Sequence, residues 1–285
     1  MKTVDIIVPI YNEEESAPKI IQEIKNSLAH TNFKFKITIV DDGSTDNSYE
    51  KVKDLVDNVI RNTTNRGYGS AIKKGIRHTD GDLIAIIDAD GTYPPDAIPK
   101  LLNKLDSCDM VIGARIGKDA KIPFFRRPAK FILSKLANYL SESKIPDLNS
   151  GLRAFTRKSI EQYLHLIPNG YSLTTTITLA YLCDGLDIEF VPIDYHKRIG
   201  KSKIRPIRDT KNFIFTILRT IMYFNPLKVC LPLSILLALI SISVLIYSAK
   251  YLERIMDGTV AVFAIASIQV IVIGLIADMI SKRTK

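Results

Sequence analysis

Two stretches near the end of this 285-residue chain, Val229 to Ala249 and Thr259 to Ala277, carry no charged side chain. Each is about 20 residues long, and at ~1.5 Å of rise per residue a helix of that length crosses a ~30 Å hydrocarbon core. Within lipid every backbone N–H and C=O needs a partner inside the protein, which restricts such segments to helices or closed barrels. The expectation is two transmembrane helices, over about residues 229–249 and 259–280, with a buried core hairpin as the alternative. Arg219 and Lys228 precede the first span and Lys282, Arg283 and Lys285 follow the second, whereas Lys250, Glu253, Arg254 and Asp257 between them nearly cancel. This bias predicts a multi-pass protein of the cell membrane (or of the endoplasmic reticulum in a eukaryote), with both termini cytoplasmic and the short connector outside.

Upstream of the spans the pattern changes. Strand-like runs at Val4 to Val8, Phe35 to Val40, Asn58 to Ile60, Leu83 to Ile87, Met110 to Gly113 and Ile188 to Asp194 are interleaved with helical patterns. The latter fall at Glu15 to Leu28, Asp46 to Val56, Gly69 to His78, Pro95 to Leu105, Ala129 to Leu140 and Leu173 to Cys183, with Asp46 as the expected N-cap of the second. Such alternation predicts an α/β fold, a largely parallel sheet with helices on both faces. Met1-Lys2-Thr3-Val4-Asp5 enters the first strand directly, so the expected anchor is C-terminal and no leader is cleaved. Asp209 to Phe224 reads as an amphipathic helix with Phe213, Ile214, Ile217, Leu218 and Ile221 on one side, bordered by Arg208, Lys211 and Arg219. A helix lying in the membrane interface is the expectation, and packing on the sheet the alternative. The expected division is a cytoplasmic domain over 1–205, a juxtamembrane helix over 206–226 and the anchor over 227–285.

Acidic residues gather where strands stop. Asp88-Ala89-Asp90 ends the apolar run Leu83 to Ile87, Asp41-Asp42-Gly43-Ser44-Thr45-Asp46 ends the run at Ile37 to Val40, and the first strand ends in Pro9-Ile10-Tyr11-Asn12-Glu13. In an open parallel sheet the ligand crevice lies outside the carboxyl ends of the strands, so these three segments point into one cleft. Two carboxylates at a strand end suit one hard divalent cation, which neutralises substrate phosphates rather than filling an all-protein cage. A nucleotide diphosphate is the ligand class this favours, a plain solvated turn the alternative.

Seven stretches together carry a family resemblance: Val8-Pro9-Ile10-Tyr11-Asn12-Glu13, Val40 to Asp46, Asn65-Arg66-Gly67-Tyr68-Gly69-Ser70-Ala71, Asp88 to Pro95, Gly113-Ala114-Arg115, Asp147-Leu148-Asn149-Ser150-Gly151-Leu152-Arg153, and Gly200-Lys201-Ser202-Lys203. In this order, over roughly residues 4 to 205, they resemble the family 2 glycosyltransferases of GT-A fold and, within them, the polyprenyl-phosphate (dolichyl-phosphate) hexose synthases. The resemblance implies a Rossmann-like mixed sheet. It also implies inverting transfer of one hexose from a UDP- or GDP-sugar to a polyprenyl (dolichyl or undecaprenyl) phosphate, with Mg2+ or Mn2+ as cofactor. By the same resemblance Pro9, Tyr11, Glu13, Val40 and Asp42 line the nucleoside pocket, and Asp88, Ala89 and Asp90 meet the diphosphate, with Asp88 and Asp90 on the metal. Arg115 would approach the donor phosphates or sugar. Gly91-Thr92 stand where the subgroup often has Leu-Gln, which leaves the sugar and base open.

The acceptor determines whether a base is needed. A sugar hydroxyl must lose a proton, whereas a lipid phosphate is already an anion. Asp147 lies where family members acting on hydroxyls carry an acidic base motif, and orienting a substrate or serving as base are both open to it. An anionic acceptor needs cations at the membrane edge, for which Arg126, Arg127, Ser134, Arg198, Ser202 and Lys203 are the candidates. Transfer to a lipid or glycan hydroxyl is the second reading, and a catalytically silent nucleotide- or lipid-binding scaffold the third.

Composition narrows the partners. The net charge is +9, and much of the excess lies between Lys197 and Lys211, beside the first span, which favours lipid head groups and a lipid phosphate over nucleic acid. Cys108, Cys183 and Cys230 are scattered, and His30, His78, His165 and His196 show no ligand spacing, against a disulfide framework or zinc site. The absence of tryptophan disfavours the processive polysaccharide synthases, whose Gln-x-x-Arg-Trp element packs at the acceptor site. A homo-oligomer is left open.

Overall fold

The computed structural model describes residues 2–116, 135, 137–139, 142–170, 172–196, 206–252 and 256–283, with backbone alone for 206–213 and 283. The chain divides into two compact units, Met1–Thr216 and Ile217–Lys285.

The first unit is built on a seven-stranded mixed sheet. Its strands are β1 (Thr3–Ile10), β2 (Lys34–Asp41), β3 (Asn58–Arg61), β4 (Leu83–Ile86), β5 (Met110–Ala114), β6 (Arg153–Thr156) and β7 (Ile188–Pro192), in the order β3-β2-β1-β4-β6-β5-β7. β1 to β4 run parallel, β6 runs antiparallel to both β4 and β5, and β7 is parallel to β5. Helices α1 (Ala17–Leu28), α2 (Ser48–Val52), α3 (Tyr68–Arg77), α4 (Ile98–Lys104), α5 (Arg157–Glu161) and α6 (Leu173–Cys183) connect or flank them.

Burial explains why β4 and the Ile6 to Ile10 part of β1 read as unbroken apolar runs. Val4, Ile6 and Val8 enter one core with Ile20, Ile21, Ile24 and Leu28 of α1 and Leu101 and Leu102 of α4, while Ile7 and Val40 face Gly75 of α3. A strand covered on both faces has no polar side to alternate with. Each fully buried Ile or Leu contributes about 1.5–3 kcal/mol relative to exposure, so the i, i+4, i+8 spacing of Ile20, Ile24 and Leu28 fixes the buried face of α1. The parallel register sets Ile10 beside Asp41 and Ile7 beside Ile86, so the segments leaving β1, β2 and β4 emerge at one edge.

The expected strands all form, to within a few residues. β6 was not foreseen: it is four residues long and opens with an arginine, Arg153, that is fully buried. α2 is shorter than the 46–56 pattern and begins at Ser48, with Asn47 rather than Asp46 at the cap position. The Asp46 carboxylate nevertheless accepts from Ser48 N at 2.9 Å and from Glu14 N at 3.4 Å, joining the first turn of α2 to the segment after β1. Of the helix expected over 129–140, only 135 and 137–139 are described, and they are helical.

α7 (Pro206–Phe224) runs across the division between the units. Ile217 and Ile221, expected on a lipid-facing stripe, are fully buried, whereas Ile214 and Phe215 are exposed. The apolar face of its last two turns is thus satisfied by protein, as the buried set Ile217, Thr220, Ile221 and Phe224 shows by its i, i+3, i+4, i+7 spacing.

In the second unit α8 (Leu227–Tyr251) and α9 (Asp257–Arg283) form a hairpin. Both are long and apolar enough to cross a membrane, each somewhat longer than the sequence reading. The buried residues of α8 include Ser234, Ser241 and Ser248, seven apart, and α9 presents Val260, Ser267, Gly274 and Ser281 at the same period. Ser234 Oγ donates to Ser267 O at 3.0 Å and Ser267 Oγ to Ser234 O at 2.9 Å, and Ser241 Oγ donates to Val260 O at 2.9 Å. A Cβ on Gly274 would stand 2.6 Å from Cys230 Cβ. Lipid tails are as apolar as leucine, so helices in a membrane are held by such close backbone approach and interhelical hydrogen bonds.

Candidate active site

The shared edge of β1, β2 and β4 opens into a cleft whose lining includes Pro9, Tyr11, Glu13, Asp42, Asp88, Ala89 and Asp90, together with Asn65, Gly67 and Tyr68 at the start of α3 and Gly170. Seven of the nine residues expected around the nucleotide sugar are thereby brought together. Val40 is buried inside β2 and does not line the cleft. Arg115 does not line it either, and lies beyond the end of β5.

Asp42 is almost wholly buried, and its carboxylate is a hub. Oδ1 accepts from Asn62 Nδ2 at 2.8 Å and from Arg66 N at 2.9 Å, and Oδ2 accepts from Gly67 N at 2.7 Å. Its first task is therefore to fold the 62–67 loop back so that the loop forms one wall of the cleft. Asn12, with φ of 52°, ties the turn after β1 to the turn after β2: its N–H donates to Ser44 Oγ and its Oδ1 accepts from Thr45 N. Asn tolerates this left-handed conformation at lower cost than most residues.

The acidic pair is held from both sides. Asp88 Oδ1 accepts from Tyr68 OH at 2.8 Å, and a Cβ on Gly151 would stand 2.5 Å from Asp88 Oδ2, so a larger residue there would push the carboxylate aside. Burial, reinforced by the adjacent Asp88 charge, pushes the Tyr68 hydroxyl well above its ordinary pKa and keeps it a donor. Asp90 Oδ1 accepts from Thr92 N at 3.1 Å and Thr92 Oγ1 at 2.6 Å, which gives the departure at Thr92 a job: it orients the second carboxylate. Among the described residues no cluster of three or more His, Cys, Asp or Glu is placed to hold a metal. Two hard oxygen donors in an open cleft fit Mg2+ or Mn2+ shared with substrate phosphates, and do not fit a closed structural site.

Arg115 and Asp147 form a bidentate pair. Arg115 Nε donates to Asp147 Oδ2 at 2.7 Å and Nη2 to Oδ1 at 2.8 Å, while the backbone N–H of Arg115 also donates to Oδ2 at 3.1 Å. The guanidinium lies 5.2 Å from the centre of the Tyr195 ring, which packs edge-on to Tyr93. Burial opposes ionisation of Asp147, but the Arg115 hydrogen bonds and charge outweigh it and hold the carboxyl below the usual range. Asp147 is thus a committed anion and a weak proton acceptor.

Arg153, which ends the motif Asp147 to Arg153 but has no role assigned from sequence, anchors that loop. It is fully buried, donating from Nε to Ser150 O at 2.7 Å, from Nη2 to Leu148 O at 2.9 Å and from Nη1 to Thr178 Oγ1 at 2.7 Å. Burial lowers its pKa to about 10, still a cation at neutral pH. The loop so fixed carries Asp147 at one end and Gly151 at the other, and Gly151 N donates to Tyr93 OH at 2.7 Å. The acceptor candidates Arg126, Arg127, Ser134, Arg198, Ser202 and Lys203 lie outside the described residues.

Comparison with known proteins identifies the family and the fold. Residues 5–164 match the model of glycosyl transferase family 2, and residues 225–282 match the GtrB C-terminal hairpin. The chain is similar to a dolichol-phosphate mannosyltransferase of Pyrococcus furiosus, 32% identical over 189 residues that cover 62% of this chain and 52% of the relative. The chain thus spans about half the length of that curated relative. In fold it is similar to glucosyl-3-phosphoglycerate synthase from Mycobacterium tuberculosis solved with Mn2+, UDP and glucosyl-3-phosphoglycerate, at a TM-score of 0.60 and 21% identity over 77% of this chain and 80% of that one. The same enzyme with Mg2+ and UDP gives a TM-score of 0.60 at 20% identity, over 77% and 79% of the two chains.

Proposed function

Since the chain belongs to glycosyl transferase family 2, we propose that it moves a single hexose from a UDP- or GDP-sugar to a polyprenyl phosphate at the cytoplasmic face of a membrane. The observation that carries this reading is the Arg115–Asp147 pair. In a hydroxyl-directed enzyme the carboxylate in this region must take a proton, and here it is ionised, saturated with donors and held at low pKa. A phosphate acceptor needs no such base. The relative named dolichol-phosphate mannosyltransferase and the match to the GtrB C-terminal hairpin support the same acceptor class.

In the proposed reaction an acceptor phosphate oxygen forms a bond to the anomeric carbon as the bond to the donor diphosphate breaks, with inversion and with no proton to remove. A divalent cation shared by Asp88, Asp90 and the diphosphate would supply Lewis-acid stabilisation of the leaving group. Tyr68 orients Asp88, Thr92 orients Asp90, and Asp42 with the 62–67 loop walls the nucleoside side of the cleft. Asp147 acts as a positioning residue that aims Arg115. The candidate acceptor cations Arg126, Arg127, Arg198 and Lys203, with Ser134 and Ser202, would hold the lipid phosphate.

The test is full-length protein in detergent with a panel of nucleotide hexoses, Mg2+ or Mn2+, and either polyprenyl phosphate or the free polyprenol. Product is expected with the phosphate alone, and Lys203→Ala or Arg126→Ala should weaken use of the lipid by about one to two decades while sparing nucleotide-sugar binding. Equal transfer to the free alcohol would overturn the reading.

A further inference from the structure

Gln269 stands near the middle of α9, twelve residues after Asp257 and fourteen before Arg283, roughly 18 to 21 Å from the two ends at 1.5 Å per residue. It follows Ser267 by two positions, a rotation of about 200°, so it leaves the helix on the side opposite the one Ser267 turns toward α8. The side chain is exposed, and its amide makes no hydrogen bond to the described residues. By contrast Ser234, Ser241, Ser243, Ser248 and Ser267 are all bonded inside the hairpin. Gln269 lies on a ridge with Ile265, Val272 and Ile276, all exposed, at the 4-3-4 spacing of a helix-packing seam.

An amide at that depth has two donors and an acceptor, and hydrocarbon offers neither. We propose that this ridge is a self-association surface, on which the α9 of a second copy of this chain packs so that the two Gln269 amides bond to one another across a two-fold axis. An amide is its own complement: Nε2 of each copy donates to Oε1 of the other, so one isologous contact satisfies both. A polyprenyl tail or acyl chain would cover the apolar neighbours but leave the amide unpaired. The inference rests on reading α8 and α9 as membrane spans.

The experiment uses full-length labelled protein reconstituted in liposomes over a series of protein-to-lipid ratios, with association read by energy transfer between copies. Wild type should associate by mass action. Gln269→Leu, which is benign for a lipid-facing helix, should raise the dissociation constant about three- to thirty-fold, the usual weight of interhelical hydrogen bonds in membranes. Gln269→Asn, which keeps the amide, should stay close to wild type. Monomeric wild type at every ratio, a Leu variant that associates as tightly, or an Asn variant that dissociates like Leu would each overturn the proposal. Alkaline carbonate extraction separates the two levels: release of wild type without detergent would sink the spans themselves, whereas a retained but monomeric protein would sink only the self-association.

Discussion

Asp147 and Asp90 are two buried carboxylates that the fold commits to different work. Asp147 accepts four hydrogen bonds, three from Arg115 and one from Asn149 N at 3.2 Å. Asp147→Asn should destabilise the protein by roughly 2 to 3 kcal/mol, below the value for a fully buried pair because Arg115 keeps 21% of its side-chain surface, as thermal unfolding in detergent will read. Because the folded pKa of Asp147 is depressed, the pair's contribution to stability is present above the ordinary carboxylate range and is lost as pH falls through the folded value. The acidic limb of the rate profile should instead report the acceptor phosphate, near pH 6. That limb should persist in Asp147→Asn, and its disappearance would make Asp147 a base. Asp90→Ala should cost at least ~10²-fold in transfer with the fold intact, and wild-type turnover in excess chelator would refute metal use. At this scale the strand-end acids were legible because chemistry places them there. The Asp42 hub and the Arg153 anchor were not, because most of their partners are backbone groups, which have no sequence signature.

Among the elements, the loop from Asp147 to Gly151 shows how a backbone can tune a carboxylate. Gly151→Ala places a Cβ against Asp88 Oδ2 and should weaken nucleotide-diphosphate and metal binding about tenfold, a shift of ~1.4 kcal/mol, with unfolding nearly unchanged. Calorimetric titration with nucleotide and Mn2+ checks this. β6 escaped sequence reasoning because a four-residue strand with a buried arginine has neither the length nor the apolar run of its neighbours. The serine period of α8 is visible in the sequence, but hydropathy alone does not distinguish serines that face a partner helix from those that do not. Ser234 and Ser267 share a reciprocal bond, so replacing both by Ala should loosen the hairpin by less than the sum of the single changes. Protease accessibility of the 252–256 connector would report it.

For the whole molecule, the alternation of strands and helices and the two uncharged runs were enough to foresee an α/β unit followed by an apolar hairpin, while the mixed character of the sheet came from the family resemblance alone. They did not foresee that the last turns of α7 bury Ile217 and Ile221, since an amphipathic pattern is the same whether lipid or protein covers it. The Lys and Arg bias predicts that a tag on the C-terminus is reached only from the cytoplasmic side and a tag in the connector only from outside. Accessibility labelling in intact cells and in opened vesicles checks both, and a C-terminus labelled from outside would reverse the topology. β5 and β6 lie side by side, with Ile112 opposite Arg153, so the chain that leaves at Ala114 returns at the neighbouring strand end. Closing a longer excursion between such ends costs only about 0.6 kcal/mol per doubling of its length. The sheet therefore offers a socket: the stretch between residues 117 and 141 can be lengthened, shortened or exchanged while the cleft at the ends of β1, β2 and β4, and the 147–151 loop against it, stay as they are. A graft between residues 117 and 141 from another family member should retain this chain's choice of nucleotide and adopt the newcomer's choice of acceptor.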